Sequence, residues 1–189
     1  YTSIEMSTNG FMRLGGGGGD AAPVNLPLPT ALAPSNTLAP FWTDLHPAGT
    51  DGLGSGTLYA GQFAYPSGRT WLVLEWKDVV EKNGTAKYSF QVWLRIGGTV
   101  EDITFTYSKL EGNGAGGFLT VGAQNSDGST GESYYYNGSG GFPTVGLEGD
   151  LIAASPGPSP GGARTITFQV RGVSRGSWTN CGVLVKNLD

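Results

Sequence analysis

Two adjoining segments constrain the fold more than any others in this chain. They are "TWLVLEWKDVV" (70–80) and "AKYSFQVWLRI" (86–96), joined by "EKNGT". Both runs are rich in aromatic and β-branched residues, and the Asn-Gly pair between them is a hairpin signal. In the first run Trp71, Val73 and Glu75 alternate with Leu72, Leu74 and Trp76. Both of its faces are largely apolar, so it is expected to lie centrally in a sheet. In the second, Tyr88, Phe90, Val92, Leu94 and Ile96 form one face, and the other is polar apart from Trp93. That pattern predicts a half-buried strand.

Similar segments follow one another along the chain. "YTSIEM" alternates, with Ile4 and Met6 on one side; Asn9-Gly10 reads as a type I′ turn into "FMRLG". "GTLYAGQFAY", "VEDITFTYSKL", "FLTVGAQN", "ARTITFQVRG" and "CGVLVKNL" read as further strands, and alternation slips between Val100 and Ile103 as at a bulge. "AAPVNLPLPTALAPSNTLAP" carries Pro23, Pro27, Pro29, Pro34 and Pro40, which forbid a long helix. It is expected to run extended over the core. No segment holds helical period over three turns. Nine to eleven strands at this spacing define an all-β chain, an antiparallel β-sandwich of jelly-roll-like form. One domain over 1–189 is expected, with 131–189 supplying completing strands, because the residues beyond "PGPSPGG" are too few to form a core alone.

The composition excludes several classes. The 33 glycines have no triplet period, so collagen is out, and 11% aromatics argue against disorder. Net charge is −4 and the Lys and Arg residues are scattered, so no nucleic-acid partner is expected. No apolar run reaches the roughly 20 residues of a membrane span. Tyr1 opens directly into a strand-like pattern, as expected of a processed product or an excised fragment. The lone Cys181 allows no internal disulfide and reads as a small buried residue rather than a nucleophile.

The chemistry-bearing residues are few. His46, the only histidine, lies in "PFWTDLHPAGTDGLGSG". Four zinc ligands cannot be assembled there. Calcium held by Asp44, Asp51 and backbone carbonyls is the metal alternative. The plainer expectation is that no cofactor is bound and that Asp44 accepts backbone N–H bonds to order the turn. A hydrolytic triad would have to use His46, but no G-x-S-x-G elbow is present. Glu75, Glu101 and Asp102 are the carboxylates a glycosidase would draw on. Trp71, Trp93, Trp178 and Tyr134 to Tyr136 could stack on sugars. Tryptophans in strands are usually core, so Tyr134, Tyr135, Tyr136 and Trp178 are the expected ligand-binding set. Asn83 and Asn137 match the glycosylation acceptor pattern.

The order of motifs is more specific than any one of them. "YTSIEMSTNGFMRLG" leads to "LPTALAPSNTLAPFWTDLHP", then "GTLYAG", "TWLVLEWKDV", "YSFQVWLRIGGTVEDITFTY" and "FLTVGAQNSDGSTG". Over residues 1–130 this resembles a β-sandwich accessory module of secreted bacterial multidomain proteins, often attached to subtilisin-like peptidases or adhesin-like surface proteins. It is similar in pattern to the extracellular nidogen-type (NIDO) domain, with its "PFW-x-D" corner and "EW" strand. In such relatives a strand or two usually precedes the "YTS" segment.

The resemblance implies a non-catalytic module at an extracellular or cell-surface location, with a structural or adhesive role. In that reading Phe41, Trp42 and Asp44 form a structural corner, with the two aromatics buried and His46 left in an exposed loop. Its partners would be another protein or a neighbouring domain of the same chain. Tyr1, Ile4 and Met6 are expected to offer an open edge to a partner strand. The alternatives are a carbohydrate-binding module, a filament or surface-layer subunit assembling by strand pairing, and a glycosidase or other hydrolase centred on His46 or Glu75.

Overall fold

The computed structural model describes residues 1–15, 22–49, 54–64, 68–97 and 102–141, and the backbone alone of 150–154 and 167–170. It is an all-β sandwich of two six-stranded antiparallel sheets. The first sheet runs β1 (Ile4–Met6), β2 (Met12–Leu14), β3 (Thr37–Trp42), β8 (Thr120–Gln124), β9 (Gly131–Tyr136), β10 (Ser139–Gly140). The second runs β12 (Thr167–Val170), β11 (Asp150–Ala154), β7 (Ile103–Leu110), β6 (Lys87–Ile96), β5 (Thr70–Val80), β4 (Thr57–Ala64). Every pairing joins strands adjacent in sequence except β3–β8 and β7–β11, so each sheet is built of meanders joined by one longer-range pairing. Beyond the "YYY" run, β11 and β12 extend the second sheet from β7.

Between the sheets lies the main core. Phe41 of β3 packs against Tyr88 and Phe90 of β6, with ring centroids 4.5 and 5.4 Å apart, and Trp76 stacks on Phe90 at 5.1 Å. Two hydrogen bonds tie the layers together. The Trp76 indole donates to the Ser7 carbonyl at 2.8 Å, and the Tyr107 hydroxyl donates to the Pro40 carbonyl at 2.7 Å.

Strand β3 is not legible as a strand in the sequence, because Pro40 cannot donate to a ladder. It nevertheless sits between β2 and β8, buried at all six positions. A register shift between Ala39 and Trp42 resolves the conflict: Pro40 stands where the ladder is interrupted. The extra residue also changes which way side chains face. Leu38 and Phe41, three apart, both enter the main core, while Ala39 and Trp42 both face the other way. The same device recurs in β5 between Trp76 and Val79, in β7 opposite Ser89 and Phe90, and in β9 at Tyr134. The slip expected between Val100 and Ile103 falls partly outside the described residues.

The Pro-rich segment forms a third layer. Phe11, Leu28, Ala33, Ala39 and Trp42 make a second buried cluster on the far face of the first sheet. Because the prolines give few backbone donors, side chains of the sheet fasten this cover. The Gln124 amide accepts from Thr30 N at 2.8 Å and donates to the Pro34 carbonyl at 3.0 Å. Ser133 Oγ accepts from Leu28 N at 2.6 Å, and Thr120 Oγ1 donates to the Leu26 carbonyl at 2.8 Å.

The expected Asn9-Gly10 hairpin is also different in kind. Met6 pairs with Met12, so the loop is residues 7–11, and only Gly10 takes a positive φ, 77°. Glycine is required there by β3: a Cβ would collide with the Phe41 carbonyl oxygen.

The β5–β6 hairpin carries a titratable clasp. Burial first, and then the Glu81 carboxylate, push the Tyr88 phenol up from its ordinary value; its hydroxyl donates to Glu81 Oε2 at 3.0 Å. A raised value means the folded chain holds this proton more tightly than the unfolded chain. Its contribution is therefore complete below about pH 10 and is lost as pH rises beyond that. Urea unfolding midpoints measured from about pH 8 to 11 should fall more steeply for the unsubstituted chain than for Tyr88→Phe.

Candidate functional site

Each sheet has one face turned away from the main core. On the first sheet that face is covered by the Pro-rich layer. On the second sheet no cover is formed among the described residues, and the register of its strands assembles there a group of aromatic and polar side chains. Glu75 lies between Tyr59 of β4 and Gln91 of β6, and Gln91 faces Thr106 of β7. In the next row Val73 lies between Gly61 and Trp93. In the third, Trp71 lies between Phe63 and Arg95. Paired residues in an antiparallel sheet share a face, so these three rows form one surface.

Three rings pack edge to face along it. The Phe63 and Trp93 centroids are 6.1 Å apart, and those of Trp71 and Trp93 are 6.2 Å apart. A polar chain fixes their surroundings. The Trp93 indole donates to Gln91 Oε1 at 2.8 Å, and Gln91 Nε2 donates to Glu75 Oε1 at 3.0 Å. Thr106 Oγ1 donates to the same Gln91 oxygen at 3.3 Å. With its oxygen occupied by two donors, the Gln91 amide can only turn its NH₂ towards Glu75, and the carboxylate is held in place. Beside this chain is an open depression of about 300 Å³ lined by Tyr59, Gly61, Phe63, Val73, Glu75 and Trp93 among others. Its floor dips at Gly61, where a Cβ would meet no atom within 4 Å. Glu75 is the one charged group in this lining.

β5 lies inside its sheet, between β4 and β6, as its two largely apolar faces predict, but those faces differ in burial. Leu72, Leu74 and Trp76 face the core, whereas Trp71, Val73 and Glu75 face outwards and are only half-buried. An apolar face predicts a covering layer, but on this side no described residue supplies one.

The expectation for the tyrosine run is corrected. Tyr135 is buried in the main core at 8% exposure, and Tyr134 packs against it. The β9 bulge turns two consecutive tyrosines inwards, so Tyr134, Tyr135 and Tyr136 do not share an exposed platform. Trp178 lies outside the described residues, as do Glu101 and Cys181.

The corner around His46 is built from a residue that the sequence pattern assigns to a local turn instead. Phe41 and Trp42 are both fully buried. The turn after them is ordered by Asn9, whose Oδ1 accepts from Leu45 N at 3.0 Å and whose carbonyl accepts from Thr43 N at 3.1 Å. Asp44 does not cap it; its carboxylate pairs with Lys82 Nζ at 3.3 Å. His46 is exposed, and its backbone N–H donates to the Val80 carbonyl at 2.8 Å. Asp51 lies outside the described residues, and among those described no three His, Cys, Asp or Glu side chains cluster as for a metal ion. Asp102 is engaged by Arg95 at 3.2 Å.

The remaining expected residues are placed as follows. Ile4 and Met6 pack partly against the main core, on an edge strand of three residues. Tyr1 is exposed, with its hydroxyl donating to Asn36 Oδ1 at 3.0 Å. Asn83 sits exposed in the β5–β6 turn with φ 60°. Asn137 Oδ1 accepts from Asn25 Nδ2 at 2.8 Å and from Leu119 N at 3.0 Å, joining the β9–β10 turn to the Pro-rich cover.

With this geometry in place, comparison with protein families identifies the class of module. A family model described as NIDO related matches residues 1–170, and the chain belongs to that family. The match includes the strands beyond residue 130, for which the sequence motifs carried no resemblance. Comparison with curated proteins and with solved structures finds no match. No helix among the described residues is long and apolar enough to cross a membrane.

Asn9 gives this corner a direct test. Asn9→Ala leaves the buried Leu45 N–H without its acceptor and should cost about 1–3 kcal/mol in urea or guanidinium unfolding. Asp44→Asn, at the exposed ion pair, should change stability by less than about 1 kcal/mol.

Proposed function

We propose that this chain is a non-catalytic module of an extracellular or cell-surface protein, and that its role is adhesive. Its binding face is the outward face of the second sheet, and its ligand a neutral glycan. The observation that carries this reading is the asymmetry of the sandwich. One sheet buries its outer aromatics beneath a dedicated cover, while the other presents Phe63, Trp71 and Trp93 beside a hydrogen-bonded Gln91–Glu75 pair. A pyranose ring has an apolar face and a rim of hydroxyls. It suits a site with flat rings for the first and a few fixed polar groups for the second. The central carboxylate accepts from hydroxyls and repels an anionic sugar.

The location rests on the family membership and the chain's strand-and-turn composition. The non-catalytic reading rests on the His46 corner: the histidine is exposed, and the carboxylate nearest in sequence, Asp44, is paired with a lysine.

The test is retention on a panel of immobilised neutral and acidic polysaccharides. The unsubstituted chain should be held by at least one neutral polymer and by no acidic one. Trp93→Ala and Phe63→Ala should each weaken that binding by about tenfold or more, with unchanged far-ultraviolet spectra. Tyr136→Ala should leave it intact. Silence across all neutral polymers, or equal retention of folded Trp93→Ala, overturns the proposal.

A further inference from the structure

Strand β4 ends the second sheet: β5 pairs with it on one side, and no described strand pairs with it on the other. Edge strands of natural domains are commonly shielded by shortness, by charge, by proline or by a bulge. The first sheet follows that rule, ending in β1 with three residues, one of them Glu5, and in β10 with two. β4 does not. It has eight residues, "TLYAGQFA", with no charge and no proline. Its pairing with β5 runs from Thr57↔Lys77 to Ala64↔Thr70 without a shift, so no bulge twists it away. Tyr59 and Phe63 on it are each 50% exposed.

The side chains of β4 are arranged almost symmetrically about Gly61. Tyr59 and Phe63 lie two residues to either side on the outer face, with Ala60 and Gln62 between. Glycine at the centre is not demanded by the chain itself. Gly61 has no positive φ, and a Cβ there would meet nothing within 4 Å. In a β-strand, such a glycine weakens the element unless something approaches it closely.

We propose that β4 pairs antiparallel with β4 of a second copy of this chain, with Gly61 on the two-fold axis. Gly61 then faces its counterpart, Tyr59 faces the partner's Phe63 on the outer face, and Ala60 faces the partner's Gln62. Two cross-strand aromatic pairs form, and the diagonal rings lie over the glycines. Self-pairing sets every charge of a strand near its own copy. A strand with none is free of that repulsion, whereas β1, with Glu5, is not. The arrangement is closed, since a two-fold contact uses the same surface on both copies, so the product is a dimer and not a filament. It joins the two second sheets into one and sets the two outer aromatic faces side by side. The pairing does not depend on the ligand proposed above.

Sedimentation velocity across a dilution series should show a monomer–dimer equilibrium. Gly61→Lys places two ammonium groups together at the axis and should weaken it by about tenfold or more, with an unchanged far-ultraviolet spectrum. A second measurement fixes the register. In a Cys181→Ser background, Gly61→Cys should form a disulfide-linked dimer on mild oxidation. Phe63→Cys alone should not, because its counterpart is four residues out of register. A monomer at every concentration, a dimer unaffected by Gly61→Lys, or cross-linking through Phe63→Cys in preference to Gly61→Cys overturns the proposal.

Discussion

The structure depends on β3 being buried on both faces. Adjacent residues of a strand point to opposite sides, and here the two adjacent residues are Phe41 and Trp42. Phe41 enters the main core against Tyr88 and Phe90; Trp42 enters the second cluster, 5.0 Å from Phe11, with its indole donating to the Ala22 carbonyl at 2.9 Å. One strand thus holds three layers in register. The Pro40 interruption between Ala39 and Trp42 makes this work, because it allows Leu38 and Phe41 to share a side. The carbonyl of Pro40 is used as well, as acceptor for Tyr107 of the opposite sheet. Truncating a ring of this size at such a position costs about 3–5 kcal/mol, a large share of a domain's total stability.

From that arrangement follows the difference between the two outer surfaces. The side chains that fasten the cover, Thr120, Gln124 and Ser133, belong to the first sheet alone. On the outward face of the second sheet, Glu75, Gln91 and Thr106 are bonded to one another and to Trp93 through one carboxylate oxygen of Glu75 and the Gln91 amide. That network fixes the orientation of the Trp93 ring, against which Phe63 and Trp71 pack. That preorganisation lowers the ordering cost of any ligand that lands on it.

Much of this is legible in the chain, and each failure has its own physical cause. Strand content, the 70–96 hairpin and the core face of β6 follow from alternation alone. Trp93 stands by itself on the polar side of β6 and does face outwards, although a tryptophan in a strand is expected in the core. Alternation fails at a bulge, since one added residue exchanges the two faces for everything beyond it. Tyr134 and Tyr135 read as surface residues, but for that reason Tyr135 is core and Tyr134 packs against it. β3 is hidden because proline is a poor marker of an inner strand, and only the cross-strand register shows where its ladder breaks. The aromatic face is hidden because Trp71 and Val73 look like core residues. Whether an apolar face is covered depends on which distant segment reaches it, and the Pro-rich segment reaches only one sheet. The roles of Asn9 and Gly10 are masked because Asn-Gly usually marks a tight turn. Here the pair serves β3 and the corner after it, far along the chain.

The Pro-rich cover is attached differently from a strand. A strand joined by a ladder comes away only as a unit, since its bonds reinforce one another. This layer is instead pinned at separate points by individual amide and hydroxyl groups, with Asn25 at one end and Gln124 at the other. Each of these attachments can therefore be removed by a single substitution that leaves every strand ladder in place, while the apolar contact with Phe11 and Trp42 holds the layer between them.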